Sequence, residues 1–394
     1  MSSQPPKAGA KPEVMIVGAG LGGLFLALLL EQINVPYHIY ERSAEVKPLG
    51  SAMALGAGIM AALEQIGLLP ELLAISLPYR TADLYGENLD RIGVMDMSGH
   101  EKLLGYEQFV FSRPRLYDLL QSRIPAHKIS HDKKVLRIAE KGDTIQIYCS
   151  DNTQYEGNIL VGADGTYSGV RQSLYKQLEK QGLLPQEDTT DFTIGAVVMV
   201  AIAEPSNPEK FPQLKDKVCH LSNLIEGTGG RVSSVASLPE NQICWAVAKE
   251  LSEDEVEEAR QFRNSHWEPM SIEDMYKDFE NMPCPWGGTM GEIMKMTPKD
   301  RISKVYPEKK LFKTWHHGRT VLIGDGAVNA MQDAVVLANC IYNMEDASQS
   351  SITAAFQEYY RQRYPLLDAQ IKHSQVVSSV LGGKVTYDGS NCLL

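Results

Sequence analysis

No run of about twenty apolar residues, the length that spans a bilayer, occurs in this sequence. Runs such as LFLALLL at 24–30 fall far short, so no transmembrane helix is expected and a soluble protein is. Cysteine is sparse. The six (Cys149, Cys219, Cys244, Cys284, Cys340 and Cys392) form no Cys-x-x-Cys pair, which excludes zinc-site spacing and leaves a disulfide framework unexpected in a chain this long. Reduced thiols and a cytoplasmic location are the expectation. Cys392 stands third from the end, so SNCLL is not a C-a-a-X prenylation box. Basic charge is in deficit, with 38 Lys and Arg against 49 Asp and Glu, a formal charge of -11. Such a surface argues against nonspecific nucleic-acid binding and against anionic membranes, leaving small-molecule chemistry. Among the nine histidines, the HH at 316–317 reads as a solvated turn rather than a metal site.

What is present is ordinary globular material: 43% hydrophobic and 22% charged residues, enough for a sizeable core, over a length that suggests two or three domains. The opening MSSQPPKAGAKP is polar and proline-rich, reading as a disordered arm (1–12) and not a signal peptide. EVMIVGAG (13–20) is a buried-strand run ending in glycines, a helix follows over 21–32, and YHIYE (37–41) is a second strand. A helix is expected over 58–69, a strand pair within 80–97, and an amphipathic helix at 112–124 with Pro114 in its first turn. Strands around KKVLRIAE and TIQIYCS flank a KGD hairpin turn, and 158–175 is again strand, glycine turn, helix.

From about 190 to 305 the texture changes. TIGAVVMVAIA, KVCHLSNL, RVSSVASL and QICWAVAKE are strand-like at hairpin spacing, and acidic helices near 253 and 273 follow them. An antiparallel sheet with one face covered by helices is expected. Alternation puts Val198, Val200 and Ile202 on one face as a candidate substrate wall, with Trp245 and Val247 also considered; plain packing explains the same pattern. The chain then returns to strand-turn-helix at 320–345. It ends in a long helical pattern from 353 to 381, which Pro365 should kink or restart.

Three glycine turns carry the chemistry. GAGLGG gives Gly18, Gly20 and Gly23 the G-x-G-x-x-G spacing: the first for a tight turn, the second for backbone approach to a pyrophosphate, the third for close helix–strand packing. The helix N-terminus, beginning at Leu21, then faces the anion. Glu41, at the end of the next strand, is placed to bind both hydroxyls of an adenosine ribose. Arg42 beside it is either a contact or a surface ion-pair partner. Arg113, at a helix start, is placed to reach cofactor phosphates or is an ordinary exposed arginine. The second turn, GADGTYSGVR, holds Asp164 and Gly165, and that Asp either caps the helix or anchors a cofactor's central region. The third, GRTVLIGDGAVNAMQDAVVLANC (318–340), holds Asp325 at a strand end, with Gly326 and Ala327 opening a helix whose N–H groups suit an electron-rich ring. Val135 completes the candidate cofactor-contacting set. No nucleophile with a partnered base is visible; Ser168 and Cys340 read as structural.

These motifs, in this order and separation, resemble the class A flavoprotein monooxygenases, the para-hydroxybenzoate hydroxylase-like group that includes fungal salicylate-hydroxylase-like and meroterpenoid epoxidases. The resemblance runs from residue 13 to about 375. It implies an α/β fold, a Rossmann-like FAD-binding domain with an inserted antiparallel-sheet substrate domain and C-terminal helices. It also implies extended FAD with its adenosine on Gly18, Gly20, Gly23 and Glu41 and its ribityl chain near Asp325, and Arg113 in the position of the family's FAD-contacting arginine. Asp164 and Gly165 would serve both FAD and incoming NAD(P)H. The implied activity is hydroxylation or epoxidation of an aromatic or terpenoid small molecule by O₂ through a flavin C4a-hydroperoxide, without a catalytic triad. The domain limits expected are 13–75, 105–188 and 306–345 for the FAD-binding part, 76–104 and 189–305 for the substrate part, and 346–394 for the C-terminal helices.

One segment departs from the family. Its members usually follow G-D-A with a histidine, a proline and G-Q-G before the x-N-x-x-x-x-D-A helix. Here Gly324-Asp325 runs directly into GAVNAMQDAVVLAN, so Asn329, Asp333, Ala334 and Leu337 match while the intervening loop is absent. Either the helix is drawn toward Asp325 or the ring site opens to water, which favours release of hydrogen peroxide. Two further readings follow: a related flavin dehydrogenase or halogenase, although no halogenase lysine motif is visible, and a flavoprotein-fold binder or uncoupled NAD(P)H oxidase.

Overall fold

The computed structural model describes residues 11–45, 51–227, 230–261, 272–324 and 326–381. The expected arm at 1–12 therefore lies outside the described residues except for Lys11 and Pro12. Contacts divide the chain into two compact units: Met1–Lys47, Tyr117–Asp191 and Leu311–Ala369 form one, and Pro48–Leu116, Phe192–Lys310 and Gln370–Leu394 the other.

The first unit is built on a six-stranded sheet in the order His316–His317, Thr320–Leu322, Ile159–Gly162, Val14–Val17, Tyr37–Tyr40, Ile129–Ser130. All neighbours are parallel except the first pair. The central strand VMIV is buried at every position. A strand covered on both faces has no polar side to alternate with, which is why it reads as a continuous apolar run. Chain order reverses across it: Tyr37–Tyr40 pairs on one side and Ile159–Gly162 on the other. In open α/β sheets a crevice forms at the carboxyl end of such a switch point. The helix Leu21–Gln32 matches the expected span, and Leu24, Phe25, Leu26, Ala27 and Leu30 are fully buried on it. A second layer, the three-stranded sheet of Val135–Lys141, Thr144–Cys149 and Gln154–Gly157, shares a core with the helix Gly169–Lys180 through Ile138, Ile147, Val170, Leu174 and Leu178.

Gln349–Leu381 runs as one helix with Pro365 inside it, so no new helix begins there. Proline removes one helical hydrogen bond. The turn before it is fastened independently: Tyr359, Tyr360 and Tyr364 pack on Trp315 with ring centroids 5.6, 5.4 and 5.7 Å away. The helix expected at 58–69 is instead two, Ala57–Gln65 and Leu69–Ala74, because Gly67 turns left-handed (φ +74°) between them. His316 and His317 form a short strand rather than a solvated turn, and His316 is half-buried against Phe356.

The second unit carries a seven-stranded sheet: Ser303–Val305, Ala196–Ala203, Gln242–Glu250, Arg231–Leu238, Leu221–Ile225, Thr81–Tyr85 and Arg91–Asp96. Only the pairing of Leu221–Ile225 with Thr81–Tyr85 is parallel. Residues 196–203 alternate half-buried and buried without a break. One face closes over Met199, Val235, Trp245 and Val247 with Met275 and Phe279 of the helix Glu273–Phe279 and Ile293 of the helix Met290–Met294. The other is covered at one end by a small sheet of Ala52–Leu55, Gln108–Ser112 and Ser76–Tyr79, whose Ala52, Ala54, Leu77 and Val110 meet Cys219, Ala236 and Cys244. This packing is why residues 51–75 and 105–116 group with the antiparallel unit, although the sequence expectation assigned them to the FAD-binding part. Residues 346–369 group with the parallel-sheet unit. The architecture is the expected one: a Rossmann-like parallel sheet and a separate antiparallel sheet.

Candidate functional site

The first turn leaves the strand Val14–Val17 at Gly18. Gly18 has φ +106°, and a Cβ there would sit 2.5 Å from the Ala163 carbonyl oxygen. A Cβ on Gly23 would overlap the Gly18 carbonyl oxygen, so helix and strand approach as closely as two backbones can. Around Gly20 the reverse holds, with no atom within 4 Å of a Cβ position. The turn is thus closed on the protein side and open on the other. No side chain caps the helix that Gly20 precedes, and its first turn carries no acidic residue. Free N–H groups at a helix N-terminus, with the helix dipole behind them, suit a phosphate group.

Glu41 lies just below this turn, 8% exposed. Its Oε2 accepts the Ala19 amide and its Oε1 the Ser43 amide, both at 2.8 Å. These two bonds fix the carboxylate. An ionised carboxylate offers about four lone-pair positions, so each oxygen keeps one for a ribose hydroxyl. A dinucleotide fits these residues: open space at Gly20 for the pyrophosphate, uncapped amides from Leu21 onward, and a clamped acceptor for a diol. Arg42, next in the chain, is exposed.

The second turn is organised around Asp164. Its Oδ1 accepts the Ser168 hydroxyl at 2.5 Å, and its Oδ2 the amides of Gly169 (2.7 Å) and Val170 (3.3 Å). Ser168 in turn accepts the Arg171 amide at 2.9 Å as the N-cap of Gly169–Lys180. Burial pushes the Asp164 carboxyl up, against the downward pull of Ser168 and the two amides. The capping reading of this aspartate describes its geometry: both oxygens serve its own helix, and they hold Gly165 (φ +77°) at the bend. Val135 is a core residue whose carbonyl oxygen lies 2.6 Å from a Cβ position on Gly169, so backbone, not side chain, is what it offers this turn.

The third turn is short. After Thr320–Leu322, only Ile323 to Gly326 precede the helix Ala327–Tyr342. Asp325 lies outside the described residues. Gly326 is the N-cap and no side chain caps the helix. The helix is pressed against Leu21–Gln32: a Cβ on Gly22 would stand 2.6 Å from Ala330 Cβ. Holding it is a buried network that the sequence did not reveal. Asp333, fully buried, accepts the Gly324 amide on Oδ2 at 2.8 Å and the Arg363 guanidinium on Oδ1 at 2.6 Å. Tyr359 donates to the Leu322 carbonyl at 3.1 Å. Burial pushes the Asp333 carboxyl up while Arg363 and Gly324 hold it down. The aspartate was visible as part of a motif. Its partner thirty residues on was not, because nothing local marks Arg363 among the arginines of the last helix.

Arg113 begins the helix Arg113–Ser122, its side chain exposed, within the second unit. Ser168 is the cap just described. Burial pushes the Cys340 thiol up to about 11, so it stays protonated at neutral pH. Of the residues considered as a substrate wall, Trp245 and Val247 are 0% exposed beneath the helices, with Trp245 Nε1 donating to Thr297 Oγ1 at 2.9 Å. They belong to the core. Val198, Val200 and Ile202 are on the opposite face and half-buried. Among the described residues, no helix is long and apolar enough to cross a membrane.

Residues 11–265 match the family described as the FAD binding domain. Among curated proteins, the FAD-dependent monooxygenase nvfK of Aspergillus novofumigatus is 24% identical over 395 residues, covering 93% of this chain and 79% of the relative. The FAD-dependent monooxygenase janM of Penicillium janthinellum is 27% identical over 393 residues, covering 92% and 76%. Among solved structures, Klebsiella pneumoniae HpxO complexed with FAD and uric acid superposes with a TM-score of 0.75 at 18% identity, over 94% of this chain and 89% of that one. The 2,6-dihydroxypyridine-3-hydroxylase of Arthrobacter nicotinovorans gives 0.75 at 18% identity, over 98% and 96%. At such identities the structural likeness speaks to fold.

Proposed function

The chain belongs to the FAD binding domain family, as an FAD-dependent monooxygenase of the class A aromatic-hydroxylase group, and from that premise we propose that it uses NAD(P)H and O₂ to hydroxylate or epoxidise an aromatic or polyprenyl-like substrate. The observation that carries this reading is the first turn: a glycine bend open at Gly20, uncapped helix amides, and Glu41 clamped by two backbone donors. In this reading Gly18 and Gly23 shape the cradle, the amides beginning at Leu21 meet the pyrophosphate, and Glu41 accepts the ribose hydroxyls. Asp164 and Gly165 keep the second turn in shape, and the amides after Gly326 face the redox ring. Bound FAD supplies hydride acceptance and oxygen activation; the chain's work is to bind, orient and exclude water.

The short third turn supports a second reading, a leaky enzyme. Only two residues of sequence separate Gly324 from the helix starting at Ala327, too few for the loop that would cover the ring, and water entry favours hydrogen peroxide release over oxygen transfer. One experiment addresses both readings. The purified protein is inspected for flavin absorbance, loaded with FAD if colourless, and supplied with NAD(P)H, ¹⁸O₂ and a panel of phenols and prenylated aromatics. One ¹⁸O per product molecule is expected, with peroxide exceeding product if the site leaks. A protein that cannot be loaded with FAD would sink both readings.

A further inference from the structure

The open face of the seven-stranded sheet carries a row of residues in cross-strand register: Val200, Ala246, Ser234, Asn223 and Leu84. All five are half-buried. On one side of the row lie Ile202, Cys244, Ala236 and Leu221, covered by the small sheet; on the other lie Val198, Ala248, Val232 and Ile225. Ser303, paired with Val200, is buried, and Gln242 and Glu250 stand at the ends of their strand; the other members of these rows are apolar, so Ser234 and Asn223 are the half-buried polar pair of the middle row. The Ser234 hydroxyl donates to Asn223 Oδ1 at 2.6 Å. Ala246 and Ser234 are small beside Val198, Val200 and Leu84.

An amide has two polar ends, and serine can answer only one. With Oδ1 engaged, Nδ2 keeps two N–H donors. Were the amide turned over, Oδ1 would be the spare group, so either orientation leaves Asn223 with an unused polar end facing an apolar surface. Asparagine is disfavoured in strands and adds nothing to the packing of an apolar face. We propose that Asn223 and Ser234 form a specificity subsite that recognises one hydroxyl or carbonyl oxygen on an otherwise apolar substrate. The inference rests on the monooxygenase reading and narrows its substrate class: an apolar skeleton lies on the Val198, Val200 and Ala248 surface while its oxygen meets the pair. Sites that hydrogen-bond a substrate oxygen reject analogues lacking it, because their own polar groups are then left unpaired.

The test uses the full chain with bound FAD and two probes, a farnesyl-substituted phenol and the same compound without its hydroxyl, with affinities measured by titration calorimetry. The unmodified protein is expected to prefer the phenol by about tenfold or more. Asn223→Leu is expected to bring that ratio close to one while leaving the hydrocarbon's affinity in place, and Ser234→Ala to reduce it part of the way. Thermal unfolding of each variant is followed in parallel, and Ser234→Ala carries the test if Asn223→Leu does not fold. Equal binding of the two probes by the unmodified protein, a ratio that survives both substitutions, or binding of neither probe overturns the proposal. Flavin content is read separately. A protein that cannot be loaded with FAD yet still discriminates defeats the monooxygenase reading and leaves the polar pair as a ligand site; an FAD-loaded protein that does not discriminate defeats this proposal alone.

Discussion

The parallel-sheet unit and the antiparallel unit place function in different parts of the chain. In the first, the candidate site is made of backbone: bare helix amides, glycines at contacts where a Cβ would collide, and carboxylates such as Asp164 and Asp333 that hold the turns rather than reach outward. In the second, the proposed substrate contacts are side chains on a regular sheet, and one residue step separates the sealed face from the half-buried one. Backbone sites are specified by spacing and tolerate little change. Side-chain sites are specified by register and can change without disturbing the fold.

The strongest way to break this contrast is at Asp333. Asp333→Ala removes the partner of a buried guanidinium, and leaving such a charge unpaired typically costs about 3–5 kcal/mol. Urea unfolding should show that loss together with poor flavin retention, because Gly324 also loses its anchor. Full stability would mean that the network does not hold the third turn. Next is Glu41→Gln. A neutral amide weakens both the clamp and any diol contact, and bonds to charged groups are worth about 1.5–3 kcal/mol each. FAD affinity, followed by fluorescence quenching, should fall at least about tenfold, with a lower melting temperature from the weakened clamp.

The contrast is sharpened by two adjacent substitutions in the strand Gln242–Glu250. Val247→Leu overfills the sealed face and should cost about 1–3 kcal/mol. Ala246→Leu, one step away on the half-buried face, should stay within about 0.5 kcal/mol of the parent and alter substrate selection instead. Equal costs in chemical denaturation would erase the distinction between the faces. The smallest expected effect is at Ser233. It is fully buried in the sealed core, and its hydroxyl has no partner among the described residues. Ser233→Ala should be neutral or slightly stabilising, since it removes an unsatisfied polar group rather than a bond; a clear loss of stability would reveal a partner for that hydroxyl.

What was legible in the sequence follows the same division. The helix at 21–32, the strands 231–238 and 242–250, and all three glycine turns could be located because their signals are local: β-branched runs, alternation, and glycine spacing. The break at Gly67 was missed because apolar spacing continued across it; at Pro365 the pattern left a kink or a restart open, and a single helix runs through, its turn before the proline fastened by aromatic packing on Trp315. The face of the sheet on which Trp245 lies was also out of reach. Alternation fixes which residues share a face, and only the helices that cover it decide which face is sealed.

The sequence by itself determined the nucleotide-binding character of the first turn, since Gly18, Gly20, Gly23 and Glu41 do their work through short-range geometry. It also determined the family to which the chain belongs and the shortness of the segment between Gly324 and Ala327. Only the tertiary structure decided that Asp164 is committed to its own helix, that Arg363 neutralises Asp333, and that Asn223 meets Ser234 on a half-open face. Each of these is a contact made after the chain has packed. Its energy depends on burial and on partners brought close by folding, neither of which leaves a mark in local sequence pattern.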